Sequence, residues 1–226
     1  MMRIAVIIPV LNEEKTIGAN LRAVQRLVPN ELVIVDGGST DRTPQICAEL
    51  NADCVISPRG RAAQMNLGAA RTGSEILLFL HADTRLPDSA FADIRTALLD
   101  ANCVGGRFDV RLDSDRPLHR LIGAMISLRS RVSQVGTGDQ AIFIRRAVFD
   151  RLGGYPEIPL MEDIALSRAM KRAGKVACLR SCVITSARRW QIEGVGRTIL
   201  KMWTLKSLYL LGVPPARLKR FYDDRR

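Results

Sequence analysis

Three polar side chains come shortly after apolar stretches of the chain. Asn12, Asp36 and Asp83 each follow a run rich in Val, Ile and Leu, and such runs are typical of strands buried on both faces of a parallel sheet. Ligands of these sheets bind beyond the carboxyl ends of the strands. We therefore expect the three side chains to converge on one ligand site. Taken alone, Asp36 also suits the turn of a D-G-G-S sequence, and Asp83 the turn before Pro87.

A pair of neighbouring acids, Glu162 and Asp163, stands at the start of a predicted helix. Acids in the first turn interact favourably with the helix dipole, and charge alone favours this structural interpretation. A carboxylate in a ligand site can instead remove a proton from an attacking hydroxyl group as a general base. The glycine-rich stretch 136–140 adds Asp139 and Gln140, whose polar groups can hydrogen-bond to hydroxyl groups of a sugar or an acceptor.

The elements that position these side chains indicate the α/β class. Strands and helices alternate in the first half, with Asn12 as the expected N-cap of the first helix. This order predicts a doubly wound, mostly parallel sheet flanked by helices, with a Rossmann-like first half. The predicted strands are 3–10, 31–35, 53–57 and 75–80, and the helices between them are 13–27, 41–50 and 60–70.

The second half has a less regular pattern. Helix 118–132 is predicted to be amphipathic, with arginines on its outer face. The chain shows no internal repeat and no clear linker, which predicts a single domain over residues 1–226. The other predicted strands are 103–112, 141–144 and 176–185, and the other helices are 147–152, 161–173 and 196–211.

The 226 residues carry 34 Lys and Arg against 23 Asp and Glu, a net charge of +11. Residues 1–100 contain 10 basic and 12 acidic side chains, whereas residues 101–226 contain 24 and 11. A basic chain suggests nucleic acid, a membrane surface or a phosphorylated substrate as a partner. The near-neutral first half and an aromatic content of 5% disfavour nucleic acid. No uncharged apolar run is long enough for a spanning helix.

Cysteine and histidine offer no obvious metal site. The five cysteines are odd in number and match the spacing of no zinc module. We interpret them as reduced, mostly buried thiols of a cytoplasmic protein. His81 and His119 are the only histidines, and with no suitable partner motif we interpret both as structural.

Five short motifs occur in order within residues 3–190. They are VIIPVLNEE from Val6, VDGGSTD from Val35, HADT from His81, MED from Met161 and RRW from Arg188. Together they resemble the motifs of family 2 glycosyltransferases with the GT-A fold. The chain looks most similar to short, single-domain bacterial members, some of which are linked with arsenosugar biosynthesis or with glycosylation of carotenoid acids.

The resemblance implies transfer of a sugar from a nucleoside diphosphate. Asp83 matches the family's metal carboxylate, and Mg²⁺ or Mn²⁺ suits such oxygen ligands and neutralises the leaving diphosphate. Asp36 matches a nucleoside-binding acid, with uridine as the default base. The family often has a second acid beside each of these positions, where this chain has Ala82 and Gly37.

Further matches surround the nucleotide. Pro9 and Glu14 belong to the first motif, where backbone and carboxylate line the nucleoside pocket in the family. Arg61 and Asn66 match a segment near the base and the diphosphate. Arg61 can pair with phosphate oxygens, and a solvated arginine is an equally good interpretation of it.

Matches in the second half concern the acceptor. Asp163 matches the general base of the family, with Glu162 as the second choice, and a single base without a covalent nucleophile implies an inverting displacement. Arg189 matches a diphosphate contact and Trp190 a residue that stacks near the acceptor sugar. Ser186 stands where processive members have a glutamine, so the resemblance implies a non-processive enzyme.

The expected function is a metal-dependent glycosyltransferase that moves a sugar from a nucleotide sugar, by default a UDP-sugar, to a hydroxyl acceptor. Residues 1–100 would bind the donor, 101–195 would supply the acceptor site and the base, and 196–226 would form a terminal helix and a basic tail. The alternatives are a nucleotidyltransferase and a non-catalytic adaptor that binds nucleotide sugars or a membrane. A nucleotidyltransferase is disfavoured because no glycine-rich loop with a lysine follows the first strand.

The position of the positive charge bears on the acceptor. The excess lies in residues 101–226, which indicates an anionic or lipid-linked acceptor or a negatively charged membrane surface. The basic helix 196–211 is compatible with peripheral membrane contact, with a packed terminal helix or with a subunit contact. We expect a cytoplasmic protein, with membrane contact at the inner face as a hypothesis.

Overall fold

The structure, a computed structural model, describes residues 1–222 of the 226-residue chain. Its strands are β1 (Ile4–Val10), β2 (Glu31–Asp36), β3 (Asp53–Ile56), β4 (Ile76–Phe79), β5 (Thr84–Arg85), β6 (Cys103–Leu112), β7 (Ile142–Arg145) and β8 (Lys175–Thr185). Its helices are α1 (Ile17–Arg26), α2 (Thr43–Glu49), α3 (Arg61–Ala70), α4 (Ala90–Ala97), α5 (Pro117–Ser133), α6 (Arg146–Arg151), α7 (Glu162–Ala173), α8 (Arg188–Glu193), α9 (Val195–Leu210) and α10 (Pro215–Lys219), with a 3₁₀ turn at Gly138–Gln140.

One eight-stranded sheet contains strands from both halves of the chain, in the order β3-β2-β1-β4-β7-β6-β8-β5. The strands β1 to β4 pair in parallel, which confirms the doubly wound first half. In the second half β7 is antiparallel to β4 and β6, and β5 is antiparallel to β8, whereas β6 and β8 are parallel. The carboxyl ends of β1, β2 and β4 therefore meet at one edge, as predicted.

The strands of the first half are apolar because helices cover both faces of the sheet. All seven residues of β1 are buried. Side chains of α1 and α4 pack on one face, and side chains of α3, α6 and α7 pack on the other. Gly68 lets α3 approach closely, since a Cβ there would lie 2.4 Å from Ile7 Cγ2. This packing holds the N-terminus of α3, at Arg61, near the carboxyl edge.

The prediction that Asn12 caps the first helix is wrong, because α1 begins only at Ile17. Asn12 has a left-handed φ of 54°, a conformation that asparagine tolerates better than most residues. Its Oδ1 accepts a hydrogen bond from Thr40 N at 2.8 Å, and its backbone N–H donates to Ser39 Oγ at 2.8 Å. Asn12 therefore ties the loop after β1 to the loop after β2.

Four elements were not predicted, namely β5, α4, α8 and α10. Strand β5 has only two residues and pairs with the end of β8, so its sequence carries no periodicity. Helix α8 is also short, with six residues and none of them buried. Helix α4 did carry a signal, since it buries Phe91 and Ile94 at helical spacing.

The outer face of α5 carries an apolar stripe, and only Arg120 of its three arginines is exposed, where arginines were expected to line this face. Arg131 pairs with Asp109 of β6, and Arg129 is half-buried, because both lie at the edges of the packed face. The outward stripe is instead formed by Leu118, Leu121, Met125, Leu128 and Val132. Within residues 1–222, no helix is both long enough and apolar enough to cross a membrane.

The five cysteines are free, in line with the interpretation as thiols. Only Cys47 and Cys103 are buried, while Cys54 and Cys178 are half-buried and Cys182 is exposed. The expectation that most of them are buried is therefore wrong.

Candidate active site

Acids from three separate segments gather beside Arg61 at the carboxyl edge of the sheet. Arg61 Nη1 lies 3.9 Å from Glu162 Oε1. Burial raises the pKa of Asp83 and of Asp163, and the positive charge of Arg61 opposes both shifts. Asp139 adds to both shifts by repulsion. Since charges affect one another in this way only at short range, the structure brings these five side chains into one site.

The acid pair is presented by a strained helix start. Met161 precedes α7 with a φ of 70°, a left-handed conformation that is costly for a non-glycine residue and is often found at functional sites. Its neighbours hold it there, because Leu160, Met161 and Ile164 are all buried in one apolar cluster. The strained residue turns the chain so that Glu162 and Asp163 open the helix.

Asp163 is fixed by two backbone hydrogen bonds. Its Oδ2 accepts from Gly138 N at 2.8 Å, and its Oδ1 accepts from Ile164 N at 2.7 Å. Gly138 must be glycine for this approach, since a Cβ there would lie 2.4 Å from His81 Nε2. The imidazole of His81 thus packs beneath the 3₁₀ turn. A small cavity between His81, Gly138 and the acid pair marks the bottom of the site.

Burial sets the protonation behaviour of the acid pair. The pKa of Glu162 is raised to about 6, by burial and then by repulsion from Asp163, against the attraction of Arg61. The pKa of Asp163 is also raised, by burial, although its two backbone hydrogen bonds favour the charged form. Tyr155 lies against both acids, and burial followed by their charges raises its pKa well above the usual value. Burial thus makes both carboxylates better proton acceptors than exposed acids of the same kind.

Asp83 is the one carboxylate that the sequence predicts as a metal ligand. It is half-buried in the turn between β4 and β5, and burial raises its pKa against the attraction of Arg61 and Arg188. Within residues 1–222 no three His, Cys, Asp or Glu side chains form a ready-made metal site. One carboxylate still fits Mg²⁺ or Mn²⁺ in an enzyme whose substrate carries phosphates, because phosphate and water oxygens supply the other ligands.

Asp36 ends β2 and is 3% exposed. Its carboxylate accepts hydrogen bonds from the backbone N–H of Ser39, at 3.0 Å, and from its hydroxyl, at 2.6 Å, so part of its role is to shape the turn. It also borders an open cleft of about 400 Å³. That cleft is lined in addition by Gly38, Ser39, Pro44, Ala48, Ala52, Cys54 and Ile56.

Two predicted ligand residues turn away from the site. The Asn66 amide donates to Tyr155 O at 2.9 Å and accepts from Tyr155 N at 2.8 Å. Gln140 is fully buried, and its amide nitrogen donates to Phe108 O and Ser130 Oγ. In this structure Asn66 holds the Tyr155 segment and Gln140 holds the 3₁₀ turn, and their contacts with a ligand stay predictions.

The residues of the RRW motif contact different parts of the protein. The guanidinium of Arg189 donates to the hydroxyl of Tyr222 and lies 4.8 Å from the centre of its ring. Trp190 faces the opposite way and packs against Leu112, Ile122 and Ala187. The ligand contacts expected of Arg189 and Trp190 stay predictions, and the charge of Arg188, the first residue of the motif, acts on Asp83.

Pro9 and Glu14 are the remaining predicted site residues of the first motif. Pro9 is buried in the middle of the sheet, opposite Val35 of β2. Glu14 is exposed, and its carboxylate accepts a hydrogen bond from Arg42 N at 3.2 Å. Pro9 is thus part of the sheet. Glu14 contacts the start of α2, on the same side of the carboxyl edge as Asp36.

Sequence reasoning missed two lysines that approach the acid pair from the C-terminal helices. Lys219 of α10 acts on Glu162. Lys206 of α9 is half-buried, and burial lowers its pKa to about 8, with repulsion from Arg129 adding to the shift and the charge of Asp163 opposing it. Positive charge in 101–226 was noted, but nothing in the sequence indicates that α9 and α10 fold back over the acids.

A parallel nucleotide-binding half with acids at its carboxyl edge defines a class of enzymes that act on nucleotide-linked substrates. The sequence model described as "Glycosyl transferase family 2" matches residues 5–153. The chain belongs to this family, which confirms the resemblance found in the motifs.

Two relatives of known name extend the match. The chain is 26% identical to the O-antigen chain rhamnosyltransferase RfbN of Salmonella typhimurium over 213 residues, which cover 81% of this chain and 66% of that protein. It is 35% identical to the 4,4'-diaponeurosporenoate glycosyltransferase of Staphylococcus haemolyticus over 92 residues, or 37% of this chain and 24% of that protein. The chain thus spans less than two thirds of the relatives it matches.

Solved structures show the same fold. The mannosyltransferase PcManGT of Pyrobaculum calidifontis, in complex with GDP-Man and Mn²⁺, has a TM-score of 0.69 at 17% identity, over 97% of this chain and 68% of that chain. Glucosyl-3-phosphoglycerate synthase of Mycobacterium tuberculosis, with Mn²⁺, UDP and glucosyl-3-phosphoglycerate, has a TM-score of 0.61 at 21% identity, over 80% and 70% of the two chains. The fold is that of the GT-A glycosyltransferases.

Proposed function

We propose that the chain transfers a sugar from a nucleoside-diphosphate sugar to a hydroxyl acceptor, in a single inverting and non-processive displacement. The observation that carries the proposal is the meeting of Asp83, Glu162 and Asp163 beside Arg61. In the proposal Asp83 is the metal carboxylate, Arg61 the phosphate-binding cation and one of the two acids the base. Family membership favours it over a nucleotidyltransferase or a non-catalytic adaptor.

The donor would lie across the carboxyl edge of the first half. Asp36 and the cleft it borders would hold the nucleoside, with Pro9 and Glu14 at the margin, and uridine is the base we propose. Arg61 and Arg188 would bind phosphate oxygens. Asp83 would hold Mg²⁺ or Mn²⁺, which supplies positive charge for the leaving diphosphate when bound. Solved relatives were crystallised with Mn²⁺ and either UDP or GDP-Man, which supports the metal and the donor class.

The acceptor would be activated by the acid pair. We assign the general base to Asp163, because its two backbone hydrogen bonds fix its carboxylate and Lys206 lies near enough to act on its charge. Glu162 stays the second choice. A base with a raised pKa takes a proton from a hydroxyl group more readily as attack proceeds. Asp139, beside both Asp83 and Asp163, would contact hydroxyl groups of either sugar.

The basic second half supports an anionic or lipid-linked acceptor. Lys219 and Lys206 face the acid pair from α10 and α9. The proposed terminal membrane contact, over residues 196–226, would use the outer face of α9, because its inner face packs beside Leu160 and Ile164. Residues 223–226 of the proposed basic tail lie outside the described residues. A cytoplasmic location at the membrane surface is part of the proposal.

Calorimetry with UDP and with GDP, with and without Mn²⁺, tests the donor site directly. We expect binding of one nucleotide that strengthens when Mn²⁺ is present, since the diphosphate and Asp83 would share the cation. Failure of both nucleotides to bind under any metal condition would overturn the proposal. An unrelated basic protein of similar charge, such as lysozyme, is the control for non-specific binding of anions to a basic chain.

A further inference from the structure

A stripe of exposed apolar side chains runs along α5. Leu118, Leu121, Met125, Leu128 and Val132 are between 51% and 78% exposed, and they recur every three or four residues along one face of the helix. At about 1.5 Å per residue, this stripe is about 21 Å long. Single exposed leucines are ordinary on a soluble protein, but a continuous stripe of this kind marks an interaction surface.

A second apolar surface lies on α9 and the turn after it. Leu200, Trp203 and Leu210 are 70%, 64% and 51% exposed, and Leu211 is 81% exposed. The opposite face of the same helix is packed, with Leu205 at 3% exposure. The outward residues therefore play no part in holding α9 against the body of the protein.

The two surfaces are neighbours. Ile122 and Ile126, on the inner side of α5, share an apolar cluster with Trp190 of α8 and Val195 at the start of α9. Further along, the charge of Arg129 on α5 acts on Lys206 of α9. These two points of approach show that α5 and α9 lie next to each other.

The charge of the two helices indicates what kind of partner would bind there. The helices α5 and α9 contain no Asp or Glu, and of their six Lys and Arg side chains Arg120 and Arg197 are exposed, whereas Lys206 faces the acid pair. A second copy of the chain would bring like charges together, at +11 for each copy. Apolar faces with basic flanks and an outward tryptophan are typical of helices that lie in the interface of an anionic membrane.

We propose that α5 and α9 together form a docking surface for a membrane that contains anionic lipids. Their apolar stripes would enter the boundary between headgroups and acyl chains, while the flanking cations would contact the headgroups. The inference adds a second helix, far from the C-terminus in sequence, to the terminal contact proposed above. It does not depend on transferase activity, because no residue of the stripe on α5 belongs to the acid site.

Flotation of the full chain with vesicles tests this surface. The arms are phosphatidylcholine alone and phosphatidylcholine with one quarter phosphatidylglycerol. The test variant carries Leu121→Ser, Met125→Ser and Leu128→Ser together. The matched control carries Val28→Ser and Leu99→Ser, two residues that are each 79% exposed away from this surface. Light scattering gives the oligomeric state of each protein, and thermal unfolding checks that each one is folded.

We expect the wild-type chain and the control to float with anionic vesicles. Their binding to neutral vesicles should be at least about tenfold weaker, and so should the binding of the α5 variant to anionic vesicles. A variant with Leu200→Ser and Trp203→Ser should lose binding to a similar degree. Equal flotation of the α5 variant and the wild type would overturn the proposal. So would a wild-type dimer that binds no vesicles and becomes a monomer in the α5 variant, since a second copy would then be the occupant.

Discussion

Arg61 Nη1 lies 3.9 Å from Glu162 Oε1, which joins the two halves of the chain at the carboxyl edge of the sheet. Arg61 is the first residue of α3, beneath the donor half, and Glu162 is the first residue of α7. A diphosphate bound at this edge would compete with Glu162 for the same guanidinium. If the donor binds there as proposed, its binding and the protonation of the acid pair would be coupled through Arg61.

Arg61→Gln should weaken the binding of the nucleoside diphosphate roughly ten- to a hundredfold, because a charge-assisted hydrogen bond contributes about 1.5–3 kcal/mol. Calorimetry measures this loss. The matched control is Arg59→Gln, an exposed arginine two residues earlier, which should bind the nucleotide as tightly as the wild type. Equal loss in both variants would mean that only the general positive charge of the chain matters.

Glu162→Gln should stabilise the protein at neutral pH. Folding raises the pKa of Glu162 from 4.5 to about 6, so the folded state holds this proton more tightly than the unfolded state does. The stability that this proton contributes is present below about pH 4.5 and is lost as the pH rises through about 6. The glutamine variant should therefore gain up to about 2 kcal/mol of unfolding free energy above about pH 7.

Denaturant unfolding of wild type and variant at several pH values checks the Glu162 prediction. Near pH 4 the curves should coincide, and they should separate between about pH 4.5 and pH 6 and stay apart above it. Glu157→Gln, an exposed acid five residues earlier on the same approach to α7, should follow the wild type throughout. A glutamine variant that is less stable than the wild type at neutral pH would show that the ion pair with Arg61 outweighs the cost of burial.

Asp163→Asn should spare donor binding and slow sugar transfer by about 10²- to 10⁴-fold, the usual contribution of a general base. The amide keeps the shape of the side chain but cannot take the proton from the acceptor. Nucleotide affinity from calorimetry, set against turnover with an acceptor, separates the two effects. Full turnover in Asp163→Asn combined with loss in Glu162→Gln would transfer the role of base to Glu162.

Gly138→Ala should affect the position of the Asp163 carboxylate without changing Asp163 itself. The new Cβ would lie 2.4 Å from His81 Nε2, so we expect the turn and the His81 ring to move apart, which weakens the hydrogen bond from Gly138 N to Asp163 Oδ2. We expect a loss of about 1–3 kcal/mol in stability, as for other overpacked sites, and a lower kcat with unchanged donor affinity. Gly196→Ala, where a Cβ meets nothing within 4 Å, is the control, and a variant at Gly138 with wild-type kcat would contradict the role given to this turn.

Part of the site could be predicted because the ends of buried strands can be recognised in the amino-acid sequence. Asp36 and Asp83 follow apolar runs, and parallel pairing of β1, β2 and β4 brings those ends together whatever the details of the loops. Asn12 shows the limit of this reasoning. It reaches the predicted edge, but its capping role was wrong because the chain makes a left-handed step there before α1 begins.

Side-chain direction could not be predicted in the same way. Asn66 and Gln140 lie at the positions the motifs indicate, yet their amides point inward to Tyr155 and Phe108. Whether an amide faces a ligand or the protein depends on partners that are distant in sequence. The approach of Lys206 and Lys219 to the acids depends likewise on how α9 and α10 return across the site.

The most direct measurement of the central claim is release of nucleoside diphosphate from a panel of nucleotide sugars with Mn²⁺, with Mg²⁺ and with chelator. We expect one donor, a UDP-sugar by preference, to be consumed only when metal is present. Asp83→Asn should abolish this metal-dependent release, whereas Asp88→Asn, an exposed acid five residues further on, should retain it. No consumption of any nucleotide sugar, or equal release by Asp83→Asn and the wild type, would contradict the account.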